Sequence, residues 1–208
     1  MPPLLRRTLL AGLSPALLTL LAASAGPGLL AACAPTKFNA IDITGANYAR
    51  ELSMPDVDGH VRTLAEFKGK VVVVFFGYTQ CPDVCPTTLA DLAAVRKSLG
   101  ADGARVQVVF VTIDPERDAP ALLKNYVQAF GADNVALRGD AAQTQAIARE
   151  FKVIYAKVEG RTPESYTMDH TAGSYVFDTQ GRVRLFARYG SPSEAMQADL
   201  RALLDQRG

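Results

Sequence analysis

A mixed α/β sheet flanked by helices is the architecture this 208-residue sequence predicts. Three observations lead there. Two apolar, β-branched runs, VVVVFFG at 71–77 and RVQVVFVTID at 105–114, read as strands covered on both faces, as in parallel sheets. Segments with helical spacing of apolar residues alternate with these runs, which is the βαβ pattern. Near the end, SYVFD and RVRLFAR are joined by TQG and read as a hairpin, the antiparallel part of the sheet.

The elements follow in order. Residues 1–32 begin with Arg6 and Arg7 and continue as an apolar run without charge, the layout of an export signal. Pro15, Gly26 and Pro27 interrupt it, which argues against a permanent membrane-spanning helix. It closes on Leu30, Ala31, Ala32 and Cys33, which resembles a lipobox. Cys33 is therefore the candidate lipidation site and mature N-terminus, and an ordinary secretory signal is the alternative. Either signal leads out of the cytoplasm, where disulfides persist; lipid on Cys33 would place a membrane-anchored lipoprotein on the periplasmic face. The arginine pair also fits the twin-arginine route, though the rest of that motif is missing.

Residues 33–45 read as lipidated N-terminus and tether, and 46–208 as one domain. A turn at Asp58-Gly59 predicts an N-terminal hairpin, and a helical turn follows near Leu64–Phe67. After the first buried strand, Leu89, Leu92, Val95 and Leu99 mark a helix that Gly100 stops. The second buried strand leads to a helix over APALLKNYVQAF, a short strand at NVALRG and a third helix over AAQTQAIAREF. KVIYAKVEG reads as a strand running into an irregular insert, RTPESYTMDHTAG, which carries His170. After the hairpin, Ser191 or Ser193 caps a last helix with Glu194 in its first turn. The order βαβαβα–ββα is the thioredoxin-like pattern.

Charge excludes one function class. Two of the 22 basic residues lie in the leader, so 20 face 21 acidic ones, with no basic cluster to meet nucleic acid. A glycine-rich phosphate loop and a serine nucleophile elbow are both missing from the sequence.

Cys81 and Cys85 are the only cysteines apart from Cys33. They follow the first buried strand, on the sheet edge where open α/β folds bind ligands. Starting the next helix at Pro86, its N1 residue, puts Cys85 at the N-cap, where the helix end favours a thiolate. Three residues separate the pair, and this spacing leaves metal binding, redox cycling and a structural disulfide all open. Of the two histidines, His60 falls in the exposed hairpin turn. His170 lies just before a strand whose entry, in this fold, neighbours the cysteine loop. A lone histidine is also often a satisfied surface or core residue. Two thiolates and one imidazole would suit copper, the sulfurs for Cu(I) and the nitrogen for Cu(II). Zinc would want a fourth ligand or water, and no obvious fourth side chain is offered.

Asp114 should reach the same rim, to hydrogen-bond the site or dock a partner; the other reading is a turn starter before Pro115. Met168 reads as packing, and Arg117 and Asp118 as helix-entry charges.

VVVVFFGYTQCPDVCPTTLADL, VVFVTIDPERDAP and YTMDHTAGSYVFD together resemble the Sco/SenC family, the copper chaperones of cytochrome c oxidase assembly. The resemblance spans about residues 41–206. It implies a thioredoxin-like fold and one copper ion, Cu(I) or Cu(II), on Cys81, Cys85 and His170. It implies delivery to the oxidase subunit with the CuA site, rather than an enzyme activity. Other periplasmic copper chaperones and thioredoxin-like reductants are further candidate partners. A thiol–disulfide oxidoreductase that keeps partner cysteines reduced is the alternative.

Overall fold

The computed structural model describes residues 36–162 and 165–206. Cys33 and the leader lie outside them. The strands are Ile41–Asp42 (β1), Ser53–Pro55 (β2), Val61–Thr63 (β3), Val71–Gly77 (β4), Val106–Thr112 (β5), Val135–Leu137 (β6), Tyr155–Val158 (β7), Thr167–His170 (β8), Gly173–Phe177 (β9) and Val183–Arg188 (β10). The helices are Val84–Ser98 (α1), Pro120–Gln128 (α2), Ala141–Glu150 (α3) and Ser193–Asp205 (α4).

β4 and β5 are buried at all seven positions each and run parallel, Val71 opposite Val106 through Gly77 opposite Thr112. Runs without a polar face could not tolerate an edge or a wet side. The six-stranded sheet has the order β1-β10-β9-β4-β5-β6, with β9 antiparallel to β4. Helices flank this mixed sheet, and the fold is thioredoxin-like. α1 and α4 pack on each other. α1 turns Leu89, Leu92 and Val95 inward at helical spacing, with Cys85 on the same face.

Four details differ from the sequence reading. First, α1 begins at Val84, so Cys85 lies inside its first turn and Pro86 occupies the third helical position. The first turn's N–H groups have no intrahelical partner, so proline costs nothing there either. Second, the insert carrying His170 is partly regular. β8 pairs with β7 as a separate antiparallel hairpin, with Tyr155 opposite His170 and Val158 opposite Thr167. Third, the stretch read as tether already belongs to the fold. The buried Asp199 carboxylate accepts from the Asn39 and Ala40 backbone N–H groups at 2.8 Å each, and β1 adds to the edge of β10. Fourth, Pro192 is the N-cap of α4, and the Ser191 hydroxyl donates to the Arg188 carbonyl at 2.8 Å instead.

The β2–β3 hairpin and the short 3-10 turn Leu64–Phe67 stand where expected. The hairpin covers one edge of the sheet, where the Val57 N–H donates to the Ala136 carbonyl and Arg138 N–H to Pro55. Among the described residues, no helix is long and apolar enough to cross a membrane.

Candidate metal centre

β4 delivers the chain to the cysteines and Gly77 is its last residue. A Cβ on Gly77 would come within 2.7 Å of the Cys85 Sγ and 3.0 Å of the Phe110 ring. Only glycine lets α1 close this tightly onto the strand. The loop then folds back: the Cys81 N–H donates to the Tyr78 carbonyl at 3.3 Å, and the Cys85 N–H to the Cys81 Sγ at 3.4 Å. Cys85 is buried, Cys81 half-buried, and both thiols are free.

His170 arrives from β8. Its Nε2 lies 3.7 Å from the Cys85 Sγ. Its Nδ1 is 3.1 Å from the Thr171 carbonyl. A carbonyl can only accept, so Nδ1 carries the proton and Nε2 turns its lone pair to the sulfurs. The imidazole is boxed edge-on by Phe75 and Tyr78, with ring centroids 6.1 and 6.2 Å away. Burial holds its pKa below the ordinary value, against the pull of the Thr171 carbonyl and Asp169, so the ring is neutral at pH 7.

The ligand-type atoms of Cys81, Cys85 and His170 all lie within 4.8 Å of one another, the one such group of three among the described residues. Two soft sulfurs and a neutral imidazole suit a thiophilic transition-metal ion. One expectation is reversed. Burial pushes the Cys85 thiol pKa up, not down, because the charge is lost from water faster than the helix end can compensate. Without a cation the Cys85 sulfur stays protonated.

His60 sits apart in its turn, 79% exposed at the side chain. Met168 packs against the core, and Asp169 is exposed. Asp114 lies on the rim as expected, 3% exposed, held by the Arg117 Nε and by the Tyr166 hydroxyl at 2.8 Å.

Asp118, read as a helix-entry charge, has a larger part. It is fully buried. Its carboxylate accepts from the Thr79 N–H at 3.2 Å, the Thr79 hydroxyl at 2.6 Å and the Thr112 hydroxyl. It thus pins the start of the cysteine loop to the end of β5. The available signal was its spacing: a second aspartate, four residues after the one that ends a buried strand, can turn back under the same edge. Arg117 was read the same way and also faces inward, across the loop.

Known proteins resemble this chain over most of its length. The SCO1/SenC family profile matches residues 42–205. The SCO2-like protein of Rickettsia felis is 34% identical over 149 residues, 71% of this chain and 73% of that protein. The mitochondrial SCO2 homologue of Bos taurus is 35% identical over 149 residues, 71% of this chain and 55% of that protein. Among solved structures, Bradyrhizobium japonicum ScoI with copper bound is 37% identical with a TM-score of 0.66, covering 74% of this chain and 97% of that one. Apo Sco1 of Thermus thermophilus is 36% identical with a TM-score of 0.70, covering 82% and 99%. The chain belongs to the SCO1/SenC family.

Proposed function

We propose that this protein is a copper carrier for cytochrome c oxidase assembly. It binds one ion at Cys81, Cys85 and His170 and passes it to the CuA site of the oxidase. The observation that carries this reading is the meeting of two sulfurs and one neutral imidazole within 4.8 Å on the sheet edge. Cargo must leave as well as arrive, and half-exposed Cys81 offers an incoming ligand a place to begin exchange. Copper is chosen over zinc because no fourth His, Cys, Asp or Glu ligand joins the trio among the described residues. The copper-bound relative at 37% identity supports the same choice. Export and lipid on Cys33 belong to this proposal and rest on the leader's sequence alone.

A second reading has its own support. The two free thiols are close enough to form a disulfide after a small movement, so thiol–disulfide exchange with partner cysteines is the alternative. It requires Cys81 and Cys85 but not His170.

Anaerobic titration of the reduced protein with Cu(I) against a competing chelator separates the two, with Cys81→Ala, Cys85→Ala and His170→Ala alongside and Cu(II) spectra of each. The carrier holds one copper per chain, lost with either cysteine and weakened, most clearly for Cu(II), without His170. Absence of binding, or binding indifferent to His170, would favour the oxidoreductase.

A further inference from the structure

The ligands reach the centre on separately built pieces. Cys81 and Cys85 sit on the loop and helix that follow β4. His170 sits at the end of a hairpin whose strands pair only with each other. The imidazole's place therefore depends on the short link to β9, which begins at Gly173, and on what ties that hairpin to the cysteine loop.

Phe75 and Tyr78 pack edge-on against the imidazole, and Arg117 adds a polar bridge from the hairpin to the cysteine loop. The Arg117 Nη1 donates to the Gln80 Oε1 at 3.2 Å, next to Cys81, and to the Tyr166 carbonyl at 2.8 Å, one residue before β8. Its Nε is paired with Asp114. Its guanidinium lies 3.4 Å from the centroid of the Tyr166 ring and 5.7 Å from that of Tyr78. The Tyr166 hydroxyl closes the circuit on Asp114 at 2.8 Å. Arg117 is 14% exposed at its side chain, and its Nη2 is buried without a partner among the described residues. Lysine could not copy this arginine, because the contacts use a planar fork and its flat face.

We propose that Arg117 is a positioning residue: it clamps the His170 hairpin to the cysteine loop and so sets whether the imidazole joins the two sulfurs as third ligand. The inference rests on the copper reading above. The sulfurs come from a locally closed loop and stay paired when the clamp opens. Loss of the clamp therefore removes nitrogen from the site while leaving the dithiolate.

The test uses the purified, reduced full chain and its Arg117→Lys variant, with His170→Ala as reference. Three quantities are read: Cu(I) affinity against a chelator, the Cu(II) spectrum with nitrogen hyperfine coupling, and amide hydrogen exchange in the metal-free protein. In Arg117→Lys, Cu(I) affinity should stay within about threefold of wild type while Cu(II) affinity falls at least about tenfold, toward the His170→Ala value. Metal-free exchange at Met168–His170 should quicken about tenfold with β4 and β5 unchanged, which a general loss of stability would not give. A wild-type Cu(II) spectrum together with wild-type hairpin exchange in Arg117→Lys overturns the proposal. If that variant fails to fold, Gln80→Met decides. It removes one leg of the clamp from an exposed position; loss of nitrogen coupling supports the proposal and an unchanged spectrum overturns it. Failure of the copper reading looks different: wild type then holds no copper, or His170→Ala matches it, and the inference falls with its premise.

Discussion

Gly77 and Cys85 are in contact across the strand-to-helix turn, so closely that a single methyl group on Gly77 would stand 2.7 Å from the Cys85 Sγ. The far side offers no relief, because Phe110 stands 3.0 Å from the same point. Gly77→Ala should therefore push α1 outward and cost about 1–3 kcal/mol, the usual range for overpacking. A fall in Tm of about 2–10 °C is expected, with weaker copper retention, by thermal unfolding and chelator competition. Unchanged values of both would mean that Cys85 has room the contact denies.

The two cysteines should differ in reactivity although they belong to one cluster. Cys85 is buried and burial raises its pKa, so at pH 8 almost none of it is thiolate. Cys81 is half-buried and open to reagent. Iodoacetamide should label Cys81 at least about tenfold faster in the metal-free protein, as peptide mass spectrometry would record. Equal rates would contradict the burial of Cys85.

Asp118 should be needed for both stability and site geometry. Asp118→Ala strands the Thr79 N–H and hydroxyl and the Thr112 hydroxyl under the sheet edge. Unsatisfied buried donors of this kind cost about 1–3 kcal/mol each before relaxation. The urea midpoint should fall, and the copper spectra of the folded fraction should broaden as the loop loses its anchor. An unaltered spectrum would show that the loop holds itself.

Two buried aspartates should tilt stability in opposite directions with pH. At Asp178, burial works to raise the pKa but is outweighed by the Arg182 side chain and by the Arg182 and Gln180 N–H groups, so the net shift is downward. Its stabilisation is full above the ordinary value of 3.8 and is lost as pH falls through the lower folded value. At Asp118 burial raises the pKa, so stability declines as pH climbs from 3.8 to the folded value. The stability gap between wild type and Asp178→Asn should accordingly narrow as urea unfolding is repeated from pH 6 down to pH 3. A gap that widens would reverse the sign assigned to Asp178.

Much of the centre was legible because its information is local. VVVVFFG can only be an interior strand, and the cysteines follow it directly, so their place on the sheet edge needs no tertiary knowledge. The placement of His170 needed a fold and a family resemblance as well. Other features depended on surroundings that a linear pattern omits. The N-cap location of Cys85 followed from proline's preference for N1, yet Pro86 is as well suited to the third position. The lowered thiol pKa followed from the helix end alone, while desolvation at a fully enclosed sulfur is the larger effect. Arg117 and Asp118 looked like surface charges because acids and bases near a helix start usually are; their burial arises from Thr79, Thr112 and Tyr166, the last about fifty residues away. β1 is too short, at two residues, for periodicity to register.

The separate origins of the ligands also order events during folding. The sulfurs belong to one turn of chain and can come together as soon as that turn forms. The imidazole enters only after a loop of some eighty residues has closed and β9 has found β4. On the proposed copper reading, a partly folded chain traps a metal ion on two sulfurs, and only the finished sheet brings the nitrogen. Three-point grip on the proposed cargo would then be a certificate of completed folding, and an immature molecule meeting copper early would hold it in a form distinguishable from the mature one.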